Sequence, residues 1–162
     1  MARTLLVLCC TAVCSTAVAA PVGAADPPPY RPPVDAPVLD PFRPPASRYG
    51  PGNRGIEYAT APGTPVEAAA DGTVTFAGRV AGTRHVTVLH PDGVRTTYSF
   101  LDDIAVVVGQ RVKQGQRVGT TVGPLHLGAR RGDAYFDPAT LFDPGAPQVR
   151  LVPFDEPPGD GA

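Results

Sequence analysis

The chain has 162 residues, which is room for one domain, and its 21 prolines and 18 glycines are distributed so unevenly that the folded part must be shorter than the whole. A net charge of -1, with arginine and aspartate scattered along the chain and only one lysine, gives no basic stripe for phosphates, so nucleic acid is not expected as a partner. The cysteines Cys9, Cys10 and Cys14 all lie near the N terminus, so the rest of the chain has no thiol for a disulfide, a nucleophile or a metal site.

Residues 1–25 are predicted to be a secretory signal peptide. Arg3 supplies the positive charge, the stretch from Leu5 to Val18 is apolar, and small residues ending at Ala19 or Ala25 suit a signal peptidase. The alternative is an uncleaved membrane anchor, because the apolar run is nearly long enough to cross a bilayer. We therefore expect a secreted or cell-envelope protein that has no membrane attachment after cleavage.

Residues 26–51 are predicted to be a Pro-rich linker. Eleven prolines lie between positions 27 and 62, and proline lacks the amide donor that a helix or an interior strand requires. An extended spacer is the favoured interpretation, and a polyproline ligand for a partner domain is the alternative.

Short β-branched runs cut by glycine begin after residue 61 and predict an all-β domain of antiparallel sheet, barrel-like, with Gly-rich corners. The turn at His90–Gly93 predicts a hairpin, with Gly93 free to take a positive φ. No stretch keeps a helical period, and residues 144–162 are predicted to be a flexible tail. The expected strands are 72–80, 84–90, 94–101, 116–122 and 125–131.

A repeat of Gly-Gln-Arg-Val occurs at residues 109–112 and again at 115–118. Its glycines allow two tight turns while its valines return to the core, which favours a structural role over a chemical one.

Four stretches, "GIEYATAPGTPVEAAADGTVTFAG", "VTVLHPDGVRTTYSFL", "VVGQRVKQGQRVGTT" and "GPLHLGARRGDAYFDPATLF", together resemble the lysostaphin-type zinc endopeptidases of bacterial cell walls. The resemblance covers residues 52–143 and implies the fold of that family, the duplicated hybrid motif. It also implies a zinc site built from three short motifs, and the chain departs from each of them.

The first family motif, His-x-x-x-Asp, supplies two zinc ligands, and its positions here hold Asn53 and Glu57. The catalytic His of Tyr-x-His-Leu falls on Phe100, which can neither give nor accept a proton. In the final His-x-His, the catalytic His falls on Pro124 and the metal ligand on His126. The resemblance thus leaves Glu57 and His126 as vestigial metal ligands, with the third position lost at Asn53 and no catalytic residue at Phe100 or Pro124.

A catalytic zinc needs three protein ligands and an open position for water, so no cofactor is expected here. His85 and His90 are interpreted as surface or edge histidines away from the motif positions. The family's groove is expected to persist as a binding groove made of Asn53, Glu57, Tyr98, Phe100 and His126.

The leading hypothesis is a catalytically inactive lysostaphin-like domain that binds peptidoglycan or regulates a cell-wall hydrolase such as an amidase. One alternative is an active zinc metalloendopeptidase with unusual ligands that cleaves peptidoglycan, and zinc is expected only in that case. Another is a biotinyl or lipoyl carrier domain, which "ADGTV" and "VGQRVKQGQRVG" also resemble, with Lys113 as the lysine to be modified. A purely structural envelope protein is the remaining alternative.

Overall fold

In the computed structural model, residues 30–47 and 50–143 are described, and they form one antiparallel sheet and a short helix. The predicted signal peptide and tail lie outside these residues. Strands β3 and β9 both pair with β8, and the other strands follow the order β1-β2-β8-β6-β5-β4-β7. The elements are β1 (Val38–Asp40), β2 (Gly55–Tyr58), β3 (Pro65–Glu67), β4 (Gly72–Val80), β5 (Thr83–Leu89), β6 (Val94–Ile104), β7 (Arg111–Val112), β8 (Arg117–Arg131), β9 (Ala134–Phe136) and α1 (Ala139–Phe142).

The all-β prediction is confirmed, but the sheet is not closed into a barrel, because β1 and β7 end it without pairing to each other. The two runs predicted at 116–122 and 125–131 are one continuous strand, β8. Of the described residues, none belongs to a helix with the length and apolar character needed to cross a bilayer.

The glycine turns lie where the sequence predicts them. Gly93 has a φ of 83° in the hairpin between β5 and β6, and the two repeat glycines, Gly109 and Gly115, have φ values of 85° and 77°. Glycine takes these left-handed conformations without the steric cost that a Cβ would add. The turn at Gly115, in the second repeat, connects β7 to β8.

The two faces of the sheet follow the alternation of the strands. In β6, Val94, Thr96 and Tyr98 are fully buried, whereas Arg95 and Thr97 are half-buried on the other side. Successive residues of a strand point to opposite faces, so one side forms the core and the other, here called the open face, carries polar groups. The open face includes His85, Thr87, Arg95, Thr97, Ser99, His126 and Arg130.

Part of the predicted linker is folded onto the domain. Val34 is buried in the core, the Arg31 amide donates to the Ala69 carbonyl at 2.8 Å, and β1 pairs with β2. The prediction of a free spacer therefore does not hold for residues 30–47. Proline is compatible with this packing because β1 is an edge strand, and its flanking residues Pro37 and Pro41 need no partner on the outer side.

His90 is a core residue, so its interpretation as a surface or edge histidine is wrong. Its Nδ1 lies 2.8 Å from the Asp71 carbonyl and its Nε2 lies 2.8 Å from Thr96 Oγ1. Tyr98 Oη lies 3.0 Å from the same Thr96 oxygen and accepts the Ala69 amide at 2.8 Å. These contacts form a chain of hydrogen bonds that joins β6 to the turn between β5 and β6 and to the loop between β3 and β4.

We expect the protein to lose stability as the pH falls below about 6.5. Burial lowers the pKa of His90, and burial also lowers the pKa of His126 from the ordinary value of 6.5. Below 6.5 the unfolded chain takes up protons that the folded chain does not, so acidification favours unfolding. Urea unfolding between pH 8 and pH 5 measures this slope, which should be shallower in His90→Gln. An unchanged slope in that variant would contradict the assignment of this pH dependence to His90.

Candidate functional site

A row of polar side chains crosses the open face, one residue from each of four neighbouring strands. Glu57 of β2 pairs with His126 of β8, His126 pairs with Ser99 of β6, and Ser99 pairs with His85 of β5. Directly paired residues of antiparallel strands carry their side chains on the same face. The sheet thus brings together two of the predicted site residues, Glu57 and His126, and adds Ser99 and His85.

His126 occupies the centre of this polar row, between the buried Leu125 and Leu127 of the same strand. Its Nδ1 lies 3.9 Å from Glu57 Oε1. Burial lowers the pKa of His126; the carboxylates of Glu57 and Asp40 oppose the shift and His85 adds to it. At neutral pH the ring is therefore uncharged, and the contact with Glu57 is not an ion pair.

His85 lies in the polar row, so the prediction that it stands away from the motif positions is wrong. Its Nδ1 is 2.8 Å from Ser99 Oγ. Counting alternate residues from the buried Val86 would place His85 on the open face, but only the register with β6 brings it opposite Ser99.

Asn53 is buried and joins the Pro-rich segment to the start of β2. Its amide nitrogen lies 3.1 Å from Asp40 Oδ2, and its oxygen accepts the Gly55 amide at 3.2 Å. Its backbone also pairs with Arg43 through two hydrogen bonds. The side chain is engaged in local structure and faces these groups, so it is not a lining residue of the predicted groove.

The prediction that Tyr98 lines the groove is also wrong. Its side chain is fully buried on the core face and its hydroxyl takes part in the hydrogen-bond chain with Thr96 and Ala69. Burial raises the pKa of this phenol, which remains protonated. Tyr98 supports the sheet beneath the site and does not contact solvent.

An open pocket of about 270 Å³ lies beside the polar row and is lined by Glu57, Phe100, Val122 and Pro124. Phe100 stands 6.3 Å from His126, ring centre to ring centre, in an edge-to-face contact. Its backbone has a φ of 64° at a register shift of β6, an uncommon conformation for a bulky residue. The shift turns the ring outward, where 42% of the residue is exposed. Glu57 and Phe100 thus line this pocket together with Val122 and Pro124, and His126 lies beside it.

The residues present do not fit a catalytic zinc. The family positions supply one imidazole at His126 and one carboxylate at Glu57, while the amide of Asn53 is held by Asp40. Within residues 30–47 and 50–143, no three His, Cys, Asp or Glu side chains are grouped closely enough to hold a metal ion. A catalytic zinc site has three protein ligands and a water position.

Lys113, the lysine considered for a carrier domain, lies in the turn between β7 and β8. Its Nζ contacts Asp71 Oδ2 at 2.6 Å, and the Gln114 amide donates to the other oxygen of that carboxylate. Lys113 and Gln114 both bind the Asp71 carboxylate, so these two residues have a structural role in the turn.

Comparison with known proteins identifies the wider group. Residues 51–138 match Peptidase family M23. An uncharacterized protein of Mycobacterium tuberculosis is 35% identical over 94% of this chain, which spans 64% of that relative. The DD-carboxypeptidase/endopeptidase Mpg of Neisseria meningitidis is 37% identical over 56% of this chain and 23% of its own length.

A solved structure of a putative M23 peptidase from Pseudomonas aeruginosa has the same fold. It is 30% identical with a TM-score of 0.61, and the alignment covers 70% of this chain and 50% of that one. The chain spans less than two thirds of the length of the curated relatives described above.

Proposed function

Since the chain belongs to peptidase family M23, we propose that it is a non-catalytic member that binds peptidoglycan or regulates a cell-wall hydrolase such as an amidase. The observation that carries this proposal is the donor set of the site. Glu57 and His126 remain at two ligand positions, Asn53 is engaged by Asp40, and Phe100 and Pro124 provide no group that could transfer a proton.

The pocket supports binding because its polar and apolar parts are adjacent. The Glu57 carboxylate offers a charged acceptor, while Phe100, Val122 and Pro124 offer apolar walls that an aliphatic side chain of a wall peptide would cover. The relationship to Mpg, whose name describes a carboxypeptidase and endopeptidase, supports peptidoglycan as the ligand class. Action in the cell envelope is part of the proposal and agrees with the predicted signal peptide.

Sedimentation with purified peptidoglycan tests the proposal. We expect the full chain to pellet with the peptidoglycan, and Glu57→Gln combined with Phe100→Ala to reduce the pelleted fraction several-fold. Val80→Ala is the matched control, because Val80 is also an exposed apolar residue, at 55%, but does not line the pocket. Failure of the full chain to pellet, together with no hydrolase captured from the envelope, would contradict the proposal.

Zinc content and muropeptide cleavage test the alternative of an active endopeptidase. The placement of Glu57 opposite His126 on adjacent strands is the observation that favours it. About one zinc per chain together with cleavage that a chelator abolishes would establish the enzyme and overturn the non-catalytic proposal. We expect neither bound zinc nor cleavage.

A further inference from the structure

Two arginines face each other on the open face, in neighbouring strands. Arg95 of β6 is directly paired with Arg130 of β8, and both side chains are half-buried. Leu89 of β5 lies on one side of this pair and Tyr135 of β9 on the other. Like charges placed directly opposite each other in a sheet are destabilising.

Neither guanidinium has a hydrogen-bond or ion-pair partner among the described residues. The next arginine, Arg131, differs, because its Nη2 lies 3.7 Å from Asp92 Oδ2. Of the carboxylates that the structure describes, none lies within 4.0 Å of Arg95 or Arg130. Two arginines at directly paired positions, with no acceptor among the described residues, suit a carboxylate or phosphate.

The surface between the arginine pair and the polar row carries few side chains of its own. The intervening cross-strand row contains Gly128 of β8 and Gly55 of β2, which have no side chains, beside Thr97 of β6. Both glycines are buried, and the Arg54 carbonyl and His126 Nε2 lie 3.7 Å and 3.9 Å from the position that a Cβ of Gly128 would take, so a ligand would pass over these groups. Ser99 and Arg95 are four residues apart on β6, which is about 13 Å along the strand.

We propose that Arg95 and Arg130 bind the terminal carboxylate of a peptide whose other end reaches the pocket at Glu57. This deepens the proposed function, on which it rests, by naming the stem peptide of peptidoglycan as the part recognised. The face carries opposite charges at its two ends, the arginine pair at one and the Glu57 carboxylate at the other. A ligand with both an amine and a carboxylate matches that distribution, whereas a polyphosphate carries no positive group for Glu57.

The test uses the full chain and a synthetic muropeptide with a free C-terminal carboxylate. We expect binding by calorimetry that weakens at least about tenfold when the C terminus is amidated, and by a similar factor in Arg95→Gln combined with Arg130→Gln. Higher salt should weaken the binding of the unmodified chain more than that of the double variant. Binding of inorganic polyphosphate in place of the muropeptide would overturn the proposal.

Arg79→Gln is the matched control for charge. Arg79 is an exposed arginine of β4, placed outside the row of the pair, and its replacement should leave the affinity unchanged. The double variant should remain as stable as the unmodified chain or become slightly more stable, because its change removes a repulsion. If the double variant and the unmodified chain bind the muropeptide equally well, the arginine proposal fails while the proposed function stands. If neither muropeptide nor intact peptidoglycan binds, the arginine proposal fails, and the proposed function fails with it when no hydrolase is captured from the envelope either.

Discussion

Replacing Gly55 by alanine is expected to lower the free energy of unfolding by about 2–3 kcal/mol and to displace His126. A Cβ at Gly55 would overlap the Leu127 carbonyl of β8 and would come within 2.8 Å of His126 Nε2. The carbonyl belongs to the backbone of a central strand, so it cannot turn aside as a side chain would. The added methyl group must therefore separate β2 from β8, the two strands that carry Glu57 of the pocket and His126 beside it.

Urea unfolding followed by far-ultraviolet circular dichroism measures the loss, and the His126 ring protons in an NMR spectrum report the displacement. Gly123→Ala is the matched control, because a Cβ at Gly123 meets nothing within 4 Å. Its free energy of unfolding should stay within about 0.5 kcal/mol of the unmodified chain. Equal stability of the two variants would show that β2 and β8 are less closely packed at Gly55 than described.

Replacing Tyr98 by phenylalanine is expected to cost about 1–3 kcal/mol of unfolding free energy. The change removes a single oxygen, but that oxygen accepts the buried Ala69 amide at 2.8 Å and contacts Thr96 Oγ1 at 3.0 Å. Both partners would remain in the core without water, and Thr96 would keep only its contact with His90. A buried polar group left unpaired is more costly than the loss of an average hydrogen bond.

Tyr58→Phe provides the comparison, since it is the same chemical change in another buried tyrosine. Tyr58 is 4% exposed, and no hydrogen bond to its hydroxyl is found within residues 30–47 and 50–143. We expect this variant to differ from the unmodified chain by less than about 0.5 kcal/mol. A loss in Tyr58→Phe as large as that in Tyr98→Phe would assign the effect to packing and not to the buried hydrogen-bond chain.

Local pattern accounts for the parts of the fold that the sequence predicted. Alternation marked the strands that became β4, β5 and β6, and glycine marked turns such as the one at Gly93, because both signals arise within a few residues. The packing of residues 30–47 was not predicted, because proline content describes local conformation and not the long-range pairing of β1 with β2.

The sequence predicted the candidate site only where a position of a family motif coincides with a residue that lines the pocket. Glu57 and Phe100 do line the pocket. Tyr98 was expected in the groove because it belongs to the same motif as Phe100. Its alternation with Val94 and Thr96 instead places it in the core. His85 and the arginine pair were missed because they depend on the register between strands, which one sequence does not display.

The pairing of β1 with β2 affects how a shorter fragment of this protein would behave. The family match begins at residue 51, so a fragment cut at that boundary would lack β1 and expose the outer backbone groups of β2. Unpaired strand edges recruit strands of other chains, which leads to aggregation. The same cut would also remove Asp40, and the buried Asn53 amide would lose the carboxylate that accepts its hydrogen bond. The Pro-rich segment from Tyr30 onward therefore covers the edge of β2, and we expect a fragment that lacks it to self-associate more readily.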